Sequence, residues 1–562
     1  MSMKHSYEVE PVPQETRDLA WRMSPKGTLL MHLRDALGPI YHTQEFARLF
    51  PNWGRPAHAP WRLALITVLQ VLEGLTDRQA AQMAQVRMDW RYALSLSLDA
   101  PSFDFSVLSD FRHRLLEHQA ADLLLEPILQ VCQDRGWLKA GGKQRTASTH
   151  VLAQIRSLNS LEAVGESLRA TLNELAELEP DWLLEHIDPE WFDRYVHRFE
   201  LARFPKEESK RAKLRGQVGQ DVVALLQRLE QGSPQSLQHL ESVQLLRQVF
   251  EQHYQVREGQ AHWRDGPAVS NQERVVSPYD PQARSSRKRN TVWLGYKVHV
   301  TETCDQEAES PHLVIQVQTT PATIQDTQQL EPIQKQLRQR SLAPREQYVD
   351  AGYTSGGQLV KQAQHGTEIV GPVQADGGWQ HRAQAGYAAA DFQLDWQQHR
   401  AICPQGQYSQ KWSPRQDHGP RPSILIQFAR HVCAACIVRE QCTKGTEQGR
   451  TLNLLEPCAH QALVQRRAEQ FTPAYQQRYG RRAGIEGTLS QGIRVMGLRR
   501  TPYRGTDKTQ LHHLAVAAAI NLVRVEAFLQ AQAQHRPPRA PRPPTPLARL
   551  HHRWELQEAR MS

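Results

Sequence analysis

The spacing of apolar positions predicts helices throughout the N-terminal quarter of the chain. From about residue 17 to residue 135, apolar residues recur at helical spacing and strand-like alternation is absent, as in RLALITVLQVLEG (62–74) and FSVLSDFRHRLL (105–116). The segment LTDRQAAQMAQVRMDWRYALSL offers Thr76 as a helix N-cap and predicts two short helices a few residues apart. This pattern fits a DNA-binding helix-turn-helix and fits an ordinary pair of packed helices equally well.

After these helices the spacing of apolar residues becomes typical of strands alternating with helices. Strands are predicted in KQRTASTHVLAQI, TVWLGYKVHVTETC, HLVIQVQTT, REQYVDAGY and TEIVGPV. About a hundred helical residues, 161–254, follow the first strand, and a helix in QTTPATIQDTQQLEPIQKQLRQR separates the third strand from the fourth. Regular spacing is lost from 374 to about 450 and helices return over 458–529. An α/β sheet covered by helices is the simplest arrangement of these elements.

Composition adds a preference for anionic partners. The 562 residues are enough for several domains, and 68 Lys and Arg against 59 Asp and Glu give a net charge of +9. Only 14 of the basic residues are Lys and 54 are Arg, and guanidinium groups bind phosphate in a bidentate way. A GC-rich genome would explain the same excess. The charge therefore makes nucleic acid a plausible partner.

The apolar runs and the cysteines predict the cellular compartment of the protein. No run approaches the ~18 apolar residues of a membrane span, and MSMKHSYEVEPVPQ has no apolar stretch of the kind that signal peptides contain. We therefore expect a cytoplasmic protein without a membrane partner. In that compartment the seven Cys are better explained by metal ligation than by disulfides. The Pro- and Arg-rich end, residues 535–560, is expected to be disordered or to bind phosphate.

Two segments carry candidate acids. Asp350 in VDAGY follows a predicted buried strand, where ligands bind in open α/β sheets, although an Asp there also favours a simple turn. In YGRRAGIEGTLSQGIRVMGLRRTPYRG (479–505), Arg482 and Glu486 are spaced to share one helix face, or to form a solvated charged face. Gly484, Gly487, Gly492 and Gly497 each disfavour a helix by about 1 kcal/mol relative to Ala, and close approach of a phosphate backbone would explain them. Further cations follow at Arg494, Arg499, Arg500 and Arg504.

Four cysteines form a candidate zinc site. Cys403 precedes a C-x2-C-x5-C pattern made by Cys433, Cys436 and Cys442, and four thiolates suit tetrahedral Zn2+. Such a closed site would be structural and would hold together a loop-rich insertion without its own core. Buried unligated cysteines are the alternative, and His418, His431 and Cys458 are possible substitute ligands.

Taken in order, these motifs resemble the DDE transposases of bacterial insertion sequences. The resemblance covers about residues 20–530 and rests on RTASTHV, SPYDPQAR, WLGYKVHVTETCD, VDAGY, the cysteine pattern, RAGIEGTLSQGIRVMGLRRTPYRG and HLAVAAAINLVRV. It is closest to the subgroup with an N-terminal helical domain and a cysteine-bearing insertion before the last acid. The resemblance implies a ribonuclease-H-like core in which three carboxylates hold two Mg2+ ions, with Asp350 as the second acid and Glu486 as the third. Tyr479, Arg482 and Glu486 match the family pattern Y-x2-R-x3-E, whereas Ile493 replaces an expected Lys, next to Arg494.

The first acid of the family pattern is missing. The family reads RTDSTHV where this chain has Ala147, and no Asp or Glu occurs between Asp134 and Glu162 to replace it. Two Mg2+ ions repel each other, and the bridging carboxylate lets both share one site. We therefore expect weak metal occupancy and an activity reduced by several orders of magnitude. Three origins would explain Ala147. The acid was replaced by an introduced substitution, or this copy of the element has decayed, or the chain has been retained for DNA binding.

The predicted organisation has seven parts. They are 1–138, an N-terminal helical DNA-binding domain; 139–156, the first strand of the ribonuclease-H-like core; 157–275, a helical insertion; 276–375, the core strands and helix with Asp350; 376–450, the Cys-rich zinc insertion; 451–530, the core helices with Glu486; and 531–562, a basic tail.

The expected function is that of a transposase with an impaired site. It would bind the element's terminal inverted repeats and target DNA as a homo-oligomer, most simply a dimer. The DNA-contacting residues would be Tyr479, Arg482, Arg494, Arg499, Arg500 and Arg504. A catalytically inactive DNA-binding protein or repressor derived from a transposase is the alternative, and a zinc protein unrelated to DNA is a third.

Overall fold

The N-terminal region is helical, as predicted. The structure is a computed structural model that describes residues 9–533 except 52, 54–56, 233, 267, 289, 306–309, 376, 384, 416–422 and 446, together with 546, 547 and 550. The predicted tail beyond Ala533 lies almost wholly outside the described residues. The first helices are α1 (Gln14–Met23), α2 (Leu29–Leu37), α3 (Pro60–Glu73), α4 (Asp77–Val86), α5 (Met88–Ala93), α6 (Ser106–Glu117) and α7 (Glu126–Asp134).

The short helices α4 and α5 form a packed pair. Thr76 caps α4, accepting a hydrogen bond from the backbone N–H of Gln79, as the sequence predicted. Only Arg87 separates α4 from α5, and α5 is buried from Trp90 to Ala93. Because a recognition helix must present exposed side chains to the major groove, the helix-turn-helix interpretation of this pair is wrong.

The first core strand is followed by a helical insertion with its own apolar core. Strand β1 spans Lys143–Leu152. The insertion contains α8 (Ser160–Leu178), α9 (Pro180–His186), α10 (Pro189–Tyr195), α11 (Glu208–Gly232), α12 (Gln235–Gln238), α13 (Glu241–His253) and an unpredicted hairpin of β2 (Tyr254–Arg257) and β3 (Gln260–Trp263). Its buried side chains form a cluster separate from the main core.

The remaining core strands complete one mixed sheet. They are β4 (Arg284–Lys288), β5 (Thr291–Thr303), β6 (Val314–Pro321), β7 (Glu346–Tyr348) and β8 (Glu368–Val370), with helices α14 (Asp326–Gln339) and α15 (Gly356–Gln364). The strand order is β4-β5-β1-β7-β8, and β6 also pairs with β5. Pairs that involve β5 are antiparallel, whereas β1, β7 and β8 run parallel. The predicted α/β architecture and the five predicted strands are confirmed.

The cysteine-bearing region contains small sheets of its own. Its elements are α16 (Trp379–Ala383), β9 (Gln393–Asp395), β10 (Arg400–Ile402), β11 (Lys411–Arg415), β12 (Ser423–Gln427), α17 (Arg430–Ala434), α18 (Arg439–Cys442) and β13 (Thr451–Leu455). Strands β11, β12 and β13 form one sheet over a cluster that includes Phe392, Ile426 and Phe428. The expectation that this insertion lacks a core is therefore wrong, since its strands bury aromatic and aliphatic side chains among themselves.

The chain closes with helices that tie the N-terminal region to the sheet. They are α19 (Pro457–Glu469), α20 (Pro473–Tyr479), α21 (Gly484–Val495) and α22 (Thr506–Ala533). Helix α22 packs against α3 and β6, and its buried Asn521 side chain makes two hydrogen bonds with the backbone of Val314. One apolar cluster consequently runs from Leu30 to Val525 through the N-terminal helices, the sheet and α22.

Helix α22 is also long and apolar enough to cross a membrane. It is one such helix among the described residues, by length and composition alone. Its residues from Leu511 to Leu522 are buried between the N-terminal helices and the sheet. This burial is typical of a core helix, for which an apolar sequence on all sides is expected.

Candidate active site

The sheet register brings Ala147 beside Asp350. Strands β1 and β7 pair in parallel from Lys143 with Glu346 to Arg145 with Tyr348. Ala147 and Asp350 each lie two residues beyond the last pair, so they are at the same end of these two strands. Asp350 follows β7 directly, and its Oδ1 accepts a 2.8 Å hydrogen bond from the backbone N–H of Gly352. The predicted second acid thus lies at the carboxyl end of a strand, next to the position where the first acid is missing.

Glu486 reaches the same place from helix α21. Arg482 lies between the two acids, with its Nη2 3.1 Å from Glu486 Oε1 and 3.7 Å from Asp350 Oδ2. The Arg482 Nε is buried and has no hydrogen-bond partner. The pKa of the nearby Tyr479 is raised above its ordinary value. Burial is the main cause, the carboxylates of Asp350 and Glu486 also raise it, and Arg482 opposes them. The structure therefore brings together Tyr479, Arg482 and both predicted acids.

A further carboxylate, which the sequence analysis missed, faces the same space. Asp326 begins α14, and its Oδ2 accepts a 3.0 Å hydrogen bond from Ser148, the neighbour of Ala147. A Cβ on Gly352 would lie 2.9 Å from Asp350 Oδ1 and 3.1 Å from Asp326 Oδ2. Asp326 is also 3.1 Å from Lys297 Nζ, which offsets its charge. Asp326 came from a segment predicted only as a helix start, so no sequence signal marked it.

Neutral aromatic groups line the sheet beneath these acids. His299 is fully buried, 2.6 Å from the Tyr353 hydroxyl, and burial lowers its pKa to about 4. Burial, Asp326 and Asp350 together hold the pKa of Tyr353 well above its ordinary value. Both side chains are therefore uncharged near neutral pH, so they add no charge beneath the carboxylates.

The donor chemistry suits Mg2+ at two of the three family positions. Asp350 and Glu486 supply carboxylate oxygens, which Mg2+ prefers, whereas the Ala147 methyl supplies none. Within the described part of the chain, no group of three or more His, Cys, Asp or Glu side chains is arranged to hold a metal ion. Arg482 instead places a positive charge between the two acids. The residues present fit the metal at Asp350 and Glu486 and do not fit it at Ala147.

Helix α21 is positioned by a buried ionic network. Glu302, with no exposed side-chain surface, accepts hydrogen bonds from Arg145 at 2.6 Å and from Arg524 at 2.7 Å. Thr488 of α21 donates to the same carboxylate at 2.5 Å. Burial alone would raise the pKa of Glu302, but the two arginines and these hydrogen bonds lower it overall. The network joins β1, β5, α21 and α22 immediately beside the acids.

The glycines around Glu486 have three different causes. A Cβ on Gly484 would collide with the Arg145 guanidinium, a Cβ on Gly492 would lie 3.1 Å from Leu498, and Gly497 has a φ of +67°. Of Gly484, Gly487, Gly492 and Gly497, only Gly487, one residue after Glu486, has open space around it. Packing and backbone conformation therefore explain three of the four, and close approach of a phosphate backbone remains an explanation for Gly487 alone.

The remaining predicted cations lie in and after α21. Arg494 is exposed on the helix, and Arg499 donates a 2.8 Å hydrogen bond to Thr149 of β1. Arg500 is bridged to the end of β1 at Leu152, and Arg504 lies over the Tyr279 ring. Across the described residues, none of these four arginines has a carboxylate within ion-pair distance.

The four predicted cysteines share one small pocket. Cys403, Cys433, Cys436 and Cys442 line it together with Arg450. The pKa of Cys442 is raised to about 11, mainly by burial and also by the other three cysteines, while Arg450 opposes this shift. Backbone N–H groups point at sulfur in two places, from Gln407 to Cys403 and from Arg450 to Cys433, both at 3.4 Å.

Two of the proposed substitute zinc ligands do not line this pocket. Cys458 is exposed at the start of α19, and His431 is exposed on α17 and does not line the pocket. His418 lies outside the described residues. The four cysteines therefore line one pocket, but their thiols are not arranged around a metal ion, and the zinc site stays a prediction.

Two family models match the chain. Residues 402–526 match the model described as a transposase DDE domain, and residues 21–114 match the model described as a transposase domain, DUF772. The first match includes the cysteine pocket and Glu486, and neither match includes Ala147 or Asp350. No curated protein and no solved structure matches the chain.

Proposed function

The chain is a transposase of the insertion-sequence DDE type by its two family matches, and from this premise we propose that it binds the ends of its own element. The observation that supports the proposal is that Arg482 joins Asp350 and Glu486, while the register of β1 and β7 puts Ala147 and Asp350 at the same end of these two strands. In a ribonuclease-H-like core this is where the acids of the family converge. Double-stranded DNA, both the terminal inverted repeats and the target, is then the partner.

In a complete site, Asp350 and Glu486 would hold Mg2+ with the acid that Ala147 replaces. The bound metal supplies activation of water, and then of a 3′ hydroxyl, for in-line attack on a phosphodiester. The protein would orient the strand. Arg482, which contacts both acids, is the nearest cation that a substrate phosphate could take over from them.

We propose that cleavage by this chain is strongly impaired. Ala147 removes the bridging carboxylate, and Asp326 does not replace it because Lys297 already offsets its charge. Without that ligand the repulsion between two divalent ions is less well compensated. DNA binding, by contrast, requires none of the carboxylates.

Restoring the acid tests this proposal. Ala147→Asp is expected to give Mg2+-dependent nicking of duplexes carrying the element ends, at least a hundredfold faster than the native chain. Adding Asp350→Asn to Ala147→Asp should abolish the gain. Folded Ala147→Asp that binds the ends but never nicks them would contradict the catalytic account.

A second function is favoured by the same residue. If Ala147→Asp does not nick, the chain is a DNA-binding protein that represses or competes with active copies, because its arginines are uncompensated while its acid set is incomplete. Specific binding of element ends by the native chain, with no cleavage in any variant, is the result expected from this alternative.

We also propose structural Zn2+ at the four cysteines, a homo-oligomer, most simply a dimer, and a cytoplasmic location. The shared pocket of Cys403, Cys433, Cys436 and Cys442 supports the zinc site. Pairing of two element ends requires at least two protomers. Burial of α22 in the core leaves no described helix free for a membrane.

A further inference from the structure

The helical insertion exposes many carboxylates together with large apolar side chains, on what we call the acidic surface (residues 174–196). This stretch contains eight Asp and Glu against one Arg. Among the described residues, only Asp188 and Glu190 of these eight form ion pairs. The six without one are Glu174, Glu177, Glu179, Asp181, Glu185 and Asp193. Four apolar side chains of the same stretch expose between 46% and 66% of their surface, namely Leu178, Leu184, Phe192 and Val196.

Two short helices bring these groups onto one side of the insertion. In α9, Asp181, Leu184 and Glu185 are three and four residues apart, so they share a helix face. In α10, the backbone N–H of Val196 donates to the carbonyl of Phe192, which places their side chains one turn apart. Both helices pack on α8, and only two residues separate them. The acidic surface therefore combines uncompensated negative charge with exposed apolar area.

A surface of this composition selects a partner that is both basic and apolar. DNA does not fit, because its phosphates carry the same charge as the carboxylates. Contact with the acidic surface of a second copy would oppose like charges in the same way. The basic start of α11 in a second copy is largely neutralised within its own chain, because Lys210, Arg211 and Arg215 pair with Glu207 or Glu208.

The basic tail has the complementary chemistry. It contains six Arg and two Glu. The sequence LARLHHRWEL places Leu547, Leu550 and Trp554 at the i, i+3 and i+7 spacing of one helix face, and Arg549 and Arg553 accompany them. Leu547 and Leu550, which the structure describes, have helical backbone and are 75% and 62% exposed. A basic amphipathic segment of this kind binds where its apolar residues are covered and its arginines meet carboxylates.

The basic tail is also long enough to return to the insertion of its own chain. Arg504, just before α22, lies over the ring of Tyr279, whose hydroxyl donates to Glu166 of α8. The insertion is thus beside the start of α22, a helix of 28 residues and about 42 Å. Thirteen residues separate its end at Ala533 from Leu547. Their Pro-rich composition is typical of an extended spacer, which at about 3.1 Å per residue spans about 40 Å.

We propose that the basic tail docks through residues 547–556 on the acidic surface of the same chain. Its arginines pair with carboxylates that have no ion pair elsewhere in the described structure, and its apolar residues cover those of α9 and α10. Because the tail is tethered, its effective concentration at the surface is high, and a contact that is weak between separate molecules is sufficient. The helical insertion thereby receives a role separate from DNA binding, as the receptor of the tail.

Hydrogen–deuterium exchange of the full chain, read by mass spectrometry, tests the docking. In about 0.05 M NaCl, where surface charges are weakly screened, the backbone amides of 547–556 should exchange about tenfold more slowly in the native chain than in Glu185→Lys/Asp193→Lys. After correction for intrinsic exchange rates, Arg549→Glu/Arg553→Glu should lose the same protection. Combining all four changes should restore it, because opposite charges then face each other again.

The matched control is Glu241→Lys/Glu251→Lys, which reverses two exposed charges of α13 in the same insertion but outside the acidic surface. It should keep the protection of 547–556. Equal exchange of these amides in the native chain and in Glu185→Lys/Asp193→Lys, with both folded, would overturn the proposal. Protection that appears only when duplex DNA is added would identify nucleic acid as the partner of the tail and would overturn it too. So would a dimer that dissociates in Glu185→Lys/Asp193→Lys but not in Arg549→Glu/Arg553→Glu, because a second copy would then cover the acidic surface.

Discussion

Glu302 is the residue on which the position of helix α21, the helix of Glu486, depends. It is fully buried and binds Arg145 of β1, Arg524 of α22 and Thr488 of α21. Removing one partner of a buried ionic network leaves the others uncompensated in a poorly solvated place. The effect should therefore be large and should depend on pH.

We predict that Glu302→Gln lowers the free energy of unfolding by about 3 kcal/mol at neutral pH. The pKa of Glu302 is lowered from the ordinary 4.5, so its ionised form stabilises the fold above about pH 4.5. That stabilisation is lost as pH falls through the lowered folded-state pKa. Urea unfolding from pH 7 to pH 3 should show the difference between native and variant shrinking with acid.

The exposed Glu177 of α8 provides the control for this change. Glu177→Gln should alter the unfolding free energy by less than about 0.5 kcal/mol at every pH. A difference between native and Glu302→Gln that grows with acid would contradict the assigned network.

Two glycines of α21 are expected to change the stability of the protein in opposite directions when replaced by Ala. Gly487→Ala should stabilise the protein by about 0.5–1 kcal/mol, because its Cβ enters open space and Ala favours a helix. Gly484→Ala should destabilise it by about 1–3 kcal/mol, because Arg145 is held by Glu302 and the Arg481 carbonyl and cannot yield freely. Thermal unfolding of both variants measures this, and equal shifts of either sign would be inconsistent with the packing described.

At this scale the sequence predicted those site residues that carry a recognisable motif. Asp350, Arg482 and Glu486 were named from position and spacing and Tyr479 from the family pattern; the structure places them near one another, and their roles stay predictions. Asp326 and Glu302 were not, because each reaches the site through contacts across more than a hundred residues of chain. Such pairings depend on strand register, which motif spacing does not contain.

Among the elements, the cysteine-bearing insertion is the one that the proposed zinc ion would stabilise most. Its apolar cluster is small, and its three-stranded sheet joins the cysteine pocket through Phe428 and Arg450. A metal at the pocket would connect α17, α18 and the turn after β10. The insertion should therefore lose order when the metal is removed.

We predict one Zn2+ per chain, measured by inductively coupled plasma mass spectrometry. Cys433→Ser should lose the metal and expose residues 376–450 to limited proteolysis, as should treatment with a chelator. Cys458→Ser, which alters an exposed cysteine outside the pocket, should keep both the metal and the protease resistance. A native chain without zinc would refute the metal site.

Elements were predictable where apolar periodicity was long. The helices before residue 135 and the strands β1, β5 and β6 follow their patterns closely. Strand β4 (RSSRK) contains no apolar residue because it lies at an edge, and strands β9 to β13 span only three to five residues each. A strand without apolar residues, or one of only three to five residues, leaves no periodic signal to detect.

For the whole molecule, the helical insertion is the part that stands apart. Its core is separate from the main cluster, and its two ends are close, with Arg274 donating a 2.9 Å hydrogen bond to Ser160. The N-terminal helices, in contrast, share one apolar cluster with the sheet and α22. Sequence patterns located the insertion but could not reveal which segments share a core.

We predict that residues 157–275 fold alone with a cooperative urea transition, whereas residues 1–138 alone do not. The isolated N-terminal helices would expose the apolar surface that α22 covers. Circular dichroism during urea titration of both fragments measures this. A cooperative transition of the 1–138 fragment would mean that its contacts with α22 are dispensable.

The central claim is that position 147 belongs to the same metal pocket as Asp350 and Glu486. Manganese titration followed by electron paramagnetic resonance tests it most directly, comparing the native chain with Ala147→Asp. An exposed substitution of the same kind, Ala212→Asp in α11, is the control. The account predicts at least tenfold tighter Mn2+ binding by Ala147→Asp alone, lost again when Asp350→Asn is added. Equal Mn2+ affinity of the native chain and Ala147→Asp, with both folded, would contradict it.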